Sequence, residues 1–418
     1  MAIETITTQC AIAGGGPAGV MLGFLLARAG VDVVVLEKHE DFFRDFRGDT
    51  IHPSTLELMY EIGLLDEFLK RPHQEVRELG AQIGDELVQI ADFSHLPTHC
   101  KFLAFMPQWH FLNFLAETGK RYPTFHLRMQ AEVDELIKDV DRVVGLKAAT
   151  PQGDLEVRAD LVVGTDGRHS TVRHLAGLEV EDRGAPMDVL WLRLSRHPDD
   201  GSDSLGRIEP GRFFIMIDRG DYWQCAFVIP KGGFNELRRK GLEAFRLAIV
   251  GLNPVLSTRV REIASWDDVK LLTVAVDRLK RWYRPGLLCI GDAAHAMSPI
   301  GGVGINLAVQ DAVATANILA APLREGKVTE EDLRKVQKRR QWPTVMTQAL
   351  QIFIQNRVVS NVLTMKSRPK PPFAVRLLNR FSVLRRLPAR LIGMGFRPEH
   401  VRTEEAAPAA KALSKAAE

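Results

Sequence analysis

Cysteine is scarce. The 418 residues hold only Cys10, Cys100, Cys225 and Cys289, and no two stand at a spacing that would clasp a metal or form a redox pair. That excludes a disulfide-stapled scaffold, makes a bound metal unexpected, and suits a reducing, cytoplasmic location. Long apolar runs are lacking as well. None approaches the ~18–20 residues that span a bilayer. Met1–Gly16 has no basic start followed by an apolar stretch, so no secretory signal is expected there. Acid is missing from one place: Lys366 to Arg397 carries nine basic residues and none of opposite sign. The rest then holds 46 basic against 52 acidic residues, a mildly acidic body with one basic stretch. A nucleic-acid-binding body would carry the positive patch itself, so nucleic acid is excluded as a partner.

What is present is the make-up of a folded chain. Apolar residues are 45% and charged residues 26%, enough to bury a large core. The length suits two or three domains at a soft prior of ~150 residues each.

The amino-terminal segment is the most informative. Gln9–Ala13 reads as a buried strand, Gly14-Gly15-Gly16-Pro17-Ala18-Gly19 as a glycine-rich turn, Val20 to Ala29 as a helix, and Val31–Leu36 as a second strand ending at Glu37. Gly14 permits a tight turn, Gly16 lets the backbone approach a pyrophosphate, and Gly19 lets the helix lie close to the strand. The helix N-terminus offers free N–H groups to an anion. Glu37 stands where an acid accepts hydrogen bonds from a ribose diol. This predicts a dinucleotide site without choosing between NAD and FAD.

Two distant segments narrow the choice. A strand at Asp160–Gly164 leads into Thr165-Asp166-Gly167-Arg168, and a strand at Leu287–Ile290 into Gly291-Asp292-Ala293-Ala294-His295. Pro299-Ile300-Gly301-Gly302-Val303-Gly304-Ile305-Asn306 and then Gln310-Asp311-Ala312 follow. In this order the three motifs resemble the FAD-dependent aromatic hydroxylases, single-component flavoprotein monooxygenases of the para-hydroxybenzoate hydroxylase and ubiquinone-biosynthesis hydroxylase type, over roughly residues 5–350.

The resemblance implies an α/β fold: a discontinuous Rossmann-like FAD-binding domain (1–74, 101–180 and 276–360) and a mixed or antiparallel sheet domain for substrate (75–100 and 181–275). Charge and spacing add a basic C-terminal helical segment (361–403), and an Ala/Lys/Glu-rich end reads as a flexible tail (404–418). It gives Gly14, Gly16 and Gly19 the FAD pyrophosphate, Glu37 the adenosine ribose, and Asp292 the flavin-side hydroxyls. Gly302, Gly304, Ile305 and Asn306 would lie under the isoalloxazine ring. Arg47, before Thr50-Ile51-His52-Pro53-Ser54-Thr55-Leu56-Glu57, and Gln108 match further cofactor positions, and Asp166 with Arg168 would serve both FAD and the nicotinamide cofactor. Pro299 would present its carbonyl near the reacting ring, making it and Arg47 the candidate catalytic residues.

The implied activity uses FAD, NADH or NADPH, and O2 to hydroxylate a small aromatic, polyketide-like or quinone-like substrate through a flavin C4a-hydroperoxide. Alternatives of the same fold are an FAD-dependent reductase or dehydrogenase, and a silent FAD-binding protein that docks a membrane or a partner. No second glycine-rich dinucleotide turn exists, which disfavours enzymes with a separate nicotinamide domain.

Other residues carry two readings each. His52 and His295 could act in chemistry or pack near the flavin loop; His169 could touch nicotinamide phosphates; Tyr222 and Trp223 could line a pocket or fill core. Phe373, Leu377, Phe381 and Leu384 recur at helical spacing beside Arg376, Arg380, Arg385 and Arg386. That pattern suits a peripheral membrane contact through 366–397, or a helix packed on the acidic body with solvated arginines. Nothing in the sequence sets the oligomeric state.

Overall fold

The computed structural model describes residues 4–43, 50–201 and 205–406. Its centre is an eight-stranded sheet whose main path has the spatial order Tyr283–Arg284, Leu287–Cys289, Gly153–Gly164, Glu4–Ala13, Val33–Glu37, Phe125–Met129, parallel along that path except for the antiparallel edge strand Tyr283–Arg284. Strands rich in Val, Ile and Leu suit such a sheet because both faces are buried. The register aligns Ala13 with Gly164 and with Leu36, and Gly164 with Cys289. The carboxyl ends of four strands therefore meet at one edge, and the chain leaves them as Gly14, Glu37, Thr165-Asp166 and Gly291-Asp292.

Two helices pack against the sheet and each other next to that edge. Pro17–Arg28 follows the glycine turn and Gly304–Arg324 follows the second glycine-rich loop; both are core elements. The segment from Ile300 to Arg324 is apolar and long enough to cross a bilayer by composition, but most of it is buried in the protein interior. Gly291 lies between them: a Cβ there would come within 3.0 Å of Ala18 Cβ and 3.4 Å of Ala308 Cβ.

A seven-stranded sheet stands over this edge, in the order Lys270–Leu272, Met187–Ser195, Tyr222–Pro230, Arg212–Asp218, Leu205–Glu209, Glu78–Ile83, Glu86–Asp92. All of its pairings are antiparallel except that of Leu205–Glu209 with Glu78–Ile83. Alternation along the strands separates its faces. Leu190, Leu192, Leu194, Phe214, Cys225 and Phe227 pack on the helix Leu242–Leu252. Val189, Trp191, Phe213, Ile215, Ala226 and Val228 belong to the opposite cluster, which also includes Ile300 of the glycine loop.

The sequence suggests two helices at Glu330–Arg340 and Thr344–Arg357; the structure has one, Glu330–Ile354, running through Pro343 and ending in a π-turn at Gln355–Val359. Proline deprives residue 339 of one helical N–H donor, but the helix is held by tertiary contacts before it, Arg339 and Arg340 with Glu399, and after it, Gln348 and Gln351 with the carbonyls of Asp277 and Ser298. The last described stretch is not all helical. After Phe373–Arg380 and Arg386–Gly393 the chain runs back across the parallel-sheet domain as an extended strap. Glu404–Ala406, expected to fray, are tied down: Glu405 accepts from Tyr122 Oη at 2.8 Å and Ala406 N–H donates to the Arg28 carbonyl at 2.9 Å.

Candidate active site

The glycine turn is shaped by its neighbours. Gly14 has φ +106°, and a Cβ there would meet the Thr165 carbonyl at 2.7 Å. A Cβ on Gly19 would fall 1.9 Å from the Gly14 oxygen, so helix and turn touch only because that side chain is missing. Gly15 is equally confined, with Glu37 Cβ 2.8 Å from where its own would be. Thr165 Oγ1 donates within reach of the Ala13 and Gly14 carbonyls, binding the first and second motifs together.

Gly16 and Gly304 are different. Gly16 has φ −74° and ψ −175°, open to any residue, and a Cβ there would find only the Thr165 oxygen at 4.0 Å. Around Gly304 a Cβ would meet nothing within 4 Å. Neither backbone nor packing asks for glycine at these two positions. Both open helices whose N-termini receive no hydrogen bond from a capping side chain. The first-turn N–H groups of such a helix lack intrahelical partners and carry partial positive charge. Two such ends, either side of Gly291, form a cradle for a group with acceptors along its length.

Glu37 is buried, with Oε2 accepting from Gly15 N–H at 2.9 Å and Oε1 from His39 N–H at 3.1 Å. Asp292 follows strand Leu287–Cys289 and lies 3.9 Å from the Arg168 guanidinium, so the second and third motifs meet through their charges. Asp166 is turned elsewhere. It accepts from Ser170 Oγ and from Val172 N–H, capping the short helix Thr171–Leu175. Burial pushes its carboxyl up, against the opposing hydrogen bonds.

The second glycine loop is tightly turned, with Gly301 at φ +79° and Gly302 at φ +63°. Pro299 opens this turn, and its carbonyl accepts Gly302 N–H at 3.1 Å. That oxygen is engaged in the loop itself, a point the motif alone does not reveal. Ile305 is core, and Asn306 is buried with Oδ1 accepting from Ser54 Oγ at 2.8 Å and Thr55 Oγ1 at 2.7 Å. The segment following Arg47 is thereby clamped to the loop. Gln108 begins the helix Gln108–Gly119 and is half-buried. Arg47 lies outside the described residues.

The histidines and aromatics part company. His52 is fully buried, with Nδ1 2.7 Å from the Ile392 carbonyl oxygen and Nε2 3.0 Å from that of Gly302. His295 is buried with Nε2 2.6 Å from Asp311 Oδ2. His169 is exposed. Trp223 joins the helix-covered core, while the Arg193 guanidinium sits 3.9 Å from the Tyr222 ring centroid on the other face.

Sequence reasoning missed two features. One is a buried ionic chain. Asp311 accepts from Gly291 N–H at 3.1 Å and pairs with His295 and with Arg340 Nε at 2.8 Å, and Arg340 reaches Glu399 at 3.2 Å. Burial alone would raise the Asp311 carboxyl, but His295 and Arg340 hold it below the usual range. The other is Trp191, whose Nε1 is buried with no partner among the described residues, on the sheet face that carries Phe213 and Ile215. Strand alternation was the available signal for the second; the first pairs residues too far apart to be matched in sequence. A separate cavity of about 220 Å³, lined by Arg207, Met216, Trp223 and Asn253, includes helix-covered core residues of that sheet and is not this site.

Comparison with known proteins agrees with this geometry. Residues 7–349 match the family described as "FAD binding domain". The chain belongs to this FAD-binding family. It is 32% identical over 389 residues to 6-methylpretetramide 4-monooxygenase of Streptomyces rimosus, covering 91% of this chain and 92% of that one. It is 26% identical to para-nitrophenol 4-monooxygenase of Pseudomonas sp. strain WBC-3, covering 76% and 79%. Among solved structures, p-nitrophenol 4-monooxygenase PnpA from Pseudomonas putida DLL-E4 superposes with a TM-score of 0.74 at 23% identity, over 94% of this chain and all of that one, which shows a shared fold. Family and relatives make the chain an FAD-dependent monooxygenase.

The donor set fits the cofactor. Two uncapped helix ends and two glycines without an internal reason suit a diphosphate and a flavin edge, and Glu37 and Asp292 suit hydroxyls at either end.

Proposed function

We propose that this chain hydroxylates an aromatic, polyketide-like phenol held between the carboxyl edge of the parallel sheet and the inner face of the seven-stranded sheet. The observation that carries it is the pair Gly16 and Gly304, glycines where a Cβ would meet no protein atom closer than 4.0 Å. The relative named 6-methylpretetramide 4-monooxygenase supports a polyketide substrate.

On this reading, 1–74, 101–180 and 276–360 hold FAD and 75–100 with 181–275 hold substrate. Gly14, Gly16 and Gly19 admit the pyrophosphate to the first helix, Glu37 takes the adenosine ribose, and Asp292, oriented by Arg168, takes hydroxyls on the flavin side. Gly302, Gly304, Ile305 and Asn306 line the ring, with Gln108 and Arg47 completing the cradle. Asp166 acts by holding its loop, and Pro299 by setting the turn at Gly301-Gly302. When bound, FAD supplies the redox chemistry, taking a hydride from NADH or NADPH and activating O2.

The chain's own task is positioning and dryness. Phe213, Ile215 and Ile300 belong to one apolar cluster on the inner face of the sheet, a surface that would exclude water from the reaction. The Trp191 indole N–H is a buried donor that a phenolic or carbonyl oxygen of substrate would satisfy. The four free cysteines fit a reducing cytoplasm.

The test is a screen of phenols and aromatic polyketides with the FAD-loaded protein. Accelerated NAD(P)H oxidation with O2 uptake and a product heavier by one oxygen atom is expected. NAD(P)H-dependent reduction of such compounds without oxygen incorporation would replace this reading with a reductase.

A further inference from the structure

We propose that the two helices Phe373–Arg380 and Arg386–Gly393 form a docking face for an anionic lipid bilayer. If these helices and the turn between them merely packed on the body, their large apolar side chains would point inward. They do not. Phe373 and Leu387 on the helices are 74% and 66% exposed, and Phe381 and Val383 on the connecting turn 50% and 62%. The inward contacts are made by other residues: Val375 against Ala81, Ile83 and Val88, and Ala389, Ile392 and Met394 against Phe93, Leu96 and Phe105. Each helix is therefore anchored on one side and apolar on the other, and the outward cluster is of the kind that marks an interaction site.

The charge decides the partner. Arg376, Arg380, Arg386 and Arg390 are exposed among these apolar groups, and among the described residues none pairs with a carboxylate. Arg368, just before them, does pair, with Asp85 at 2.7 Å. Arg386 meets the His95 imidazole, at 3.3 Å. Guanidinium groups without a carboxylate partner, interleaved with apolar side chains, match an interface with lipid phosphates above and acyl chains below. The rest of the chain is net acidic and is repelled from such a surface, so the protein would lie on it in one orientation. The docked helix Arg386–Gly393 also reaches inward, since the Ile392 carbonyl meets the same imidazole that meets Gly302. A lipid-bound face would thus sit within one side chain of the cofactor loop.

The experiment is flotation of full-length, FAD-loaded protein with vesicles of phosphatidylcholine alone and of phosphatidylcholine containing phosphatidylglycerol. Binding only to the anionic vesicles, weakened by salt, is expected. Replacing Arg376, Arg380, Arg386 and Arg390 by Gln should lower partitioning at least ~100-fold, because each basic residue near an anionic surface contributes independently. Phe381→Ser with Val383→Ser and Leu387→Ser should also reduce it, with unchanged flavin absorbance and circular dichroism as the check on folding. Equal flotation with both vesicle types, or wild-type flotation of both variants, overturns the proposal. So does a concentration-dependent dimer abolished by the Ser variant in the absence of lipid binding, which would make the face a contact between copies. None of these outcomes bears on the oxygenation reaction.

Discussion

The Nε2 atom of His52 stands 3.0 Å from the carbonyl oxygen of Gly302, while the other ring nitrogen faces the Ile392 carbonyl at 2.7 Å. A neutral imidazole has a single N–H and can donate to only one of the two at a time. Burial pulls the His52 pKa below its ordinary value of 6.5, against the opposing pull of both carbonyls. The ring that joins the C-terminal helix to the glycine loop is therefore neutral at neutral pH.

A pH dependence follows with a definite sign. The unfolded chain takes up a proton at His52 below the ordinary pKa of 6.5, and the folded chain does so only at lower pH. Stability from this group is present above that value and lost as pH falls below it. Urea unfolding of wild type and His52→Leu from about pH 8 to about pH 5 should show a constant difference at the upper end that shrinks below the ordinary histidine range. At neutral pH the variant should be less stable by about 1–3 kcal/mol, the cost of a buried carbonyl left unpaired. A difference independent of pH would contradict a neutral His52.

Gly16→Ala and Gly304→Ala should separate folding from cofactor binding. A Cβ at either position meets no protein atom closer than 4.0 Å, so thermal stability of the apoprotein should hold or rise slightly. FAD affinity should drop by at least about tenfold, or ~1.4 kcal/mol, since the methyl group occupies space meant for the ligand. Gly19→Ala should instead fail to fold, with its Cβ 1.9 Å from the Gly14 oxygen. Unaltered FAD affinity in both of the first two variants would move the cofactor away from these helix ends.

Asp292→Ala should give folded, flavin-poor protein. Losing a charge-assisted hydrogen bond costs on the order of 1.5–3 kcal/mol, about a 10- to 100-fold weaker dissociation constant by flavin fluorescence quenching. Arg168→Ala should weaken binding less, because it touches Asp292 at 3.9 Å and acts by orienting it.

Arg340→Met should be among the most damaging substitutions away from the cofactor. It leaves Asp311 and Glu399 buried without their shared partner. Breaking a buried pair from one side costs about 3–5 kcal/mol, to be read from the denaturation midpoint. Arg340→Lys should not rescue it, since one ammonium cannot reproduce the separate Nε and Nη1 bonds. Protease cleavage within 397–406 should speed up in parallel, because Glu399 anchors that strap.

Trp191→Phe keeps the ring and removes the indole N–H. With a substrate found by the screen, KM should rise about 3- to 10-fold with kcat nearly unchanged, the signature of one lost hydrogen bond in binding. A fall in kcat at constant KM would instead put Trp191 in the chemical step.

The sequence by itself determined the parts of this protein that are local or periodic. A strand, a glycine turn and a helix within the first thirty residues announce a phosphate cradle, because the φ of Gly14 and the missing Cβ of Gly19 are demands made by immediate neighbours. The strand ends at Gly164 and Cys289 were legible for the same reason, as short apolar runs broken by Asp-Gly and Gly-Asp, and they brought Asp166 and Asp292 to notice. Only the tertiary structure decided what those carboxylates do. Asp166 caps its own helix while Asp292 meets Arg168, a distinction that depends on side-chain direction at a sheet edge. The Asp311–Arg340–Glu399 chain and the grip of His52 on Gly302 join residues far apart in sequence, where burial rather than local preference sets the energy. The basic helices show the division most plainly: their spacing revealed two faces, but which face turned to water depended on what the rest of the fold left for them to pack against.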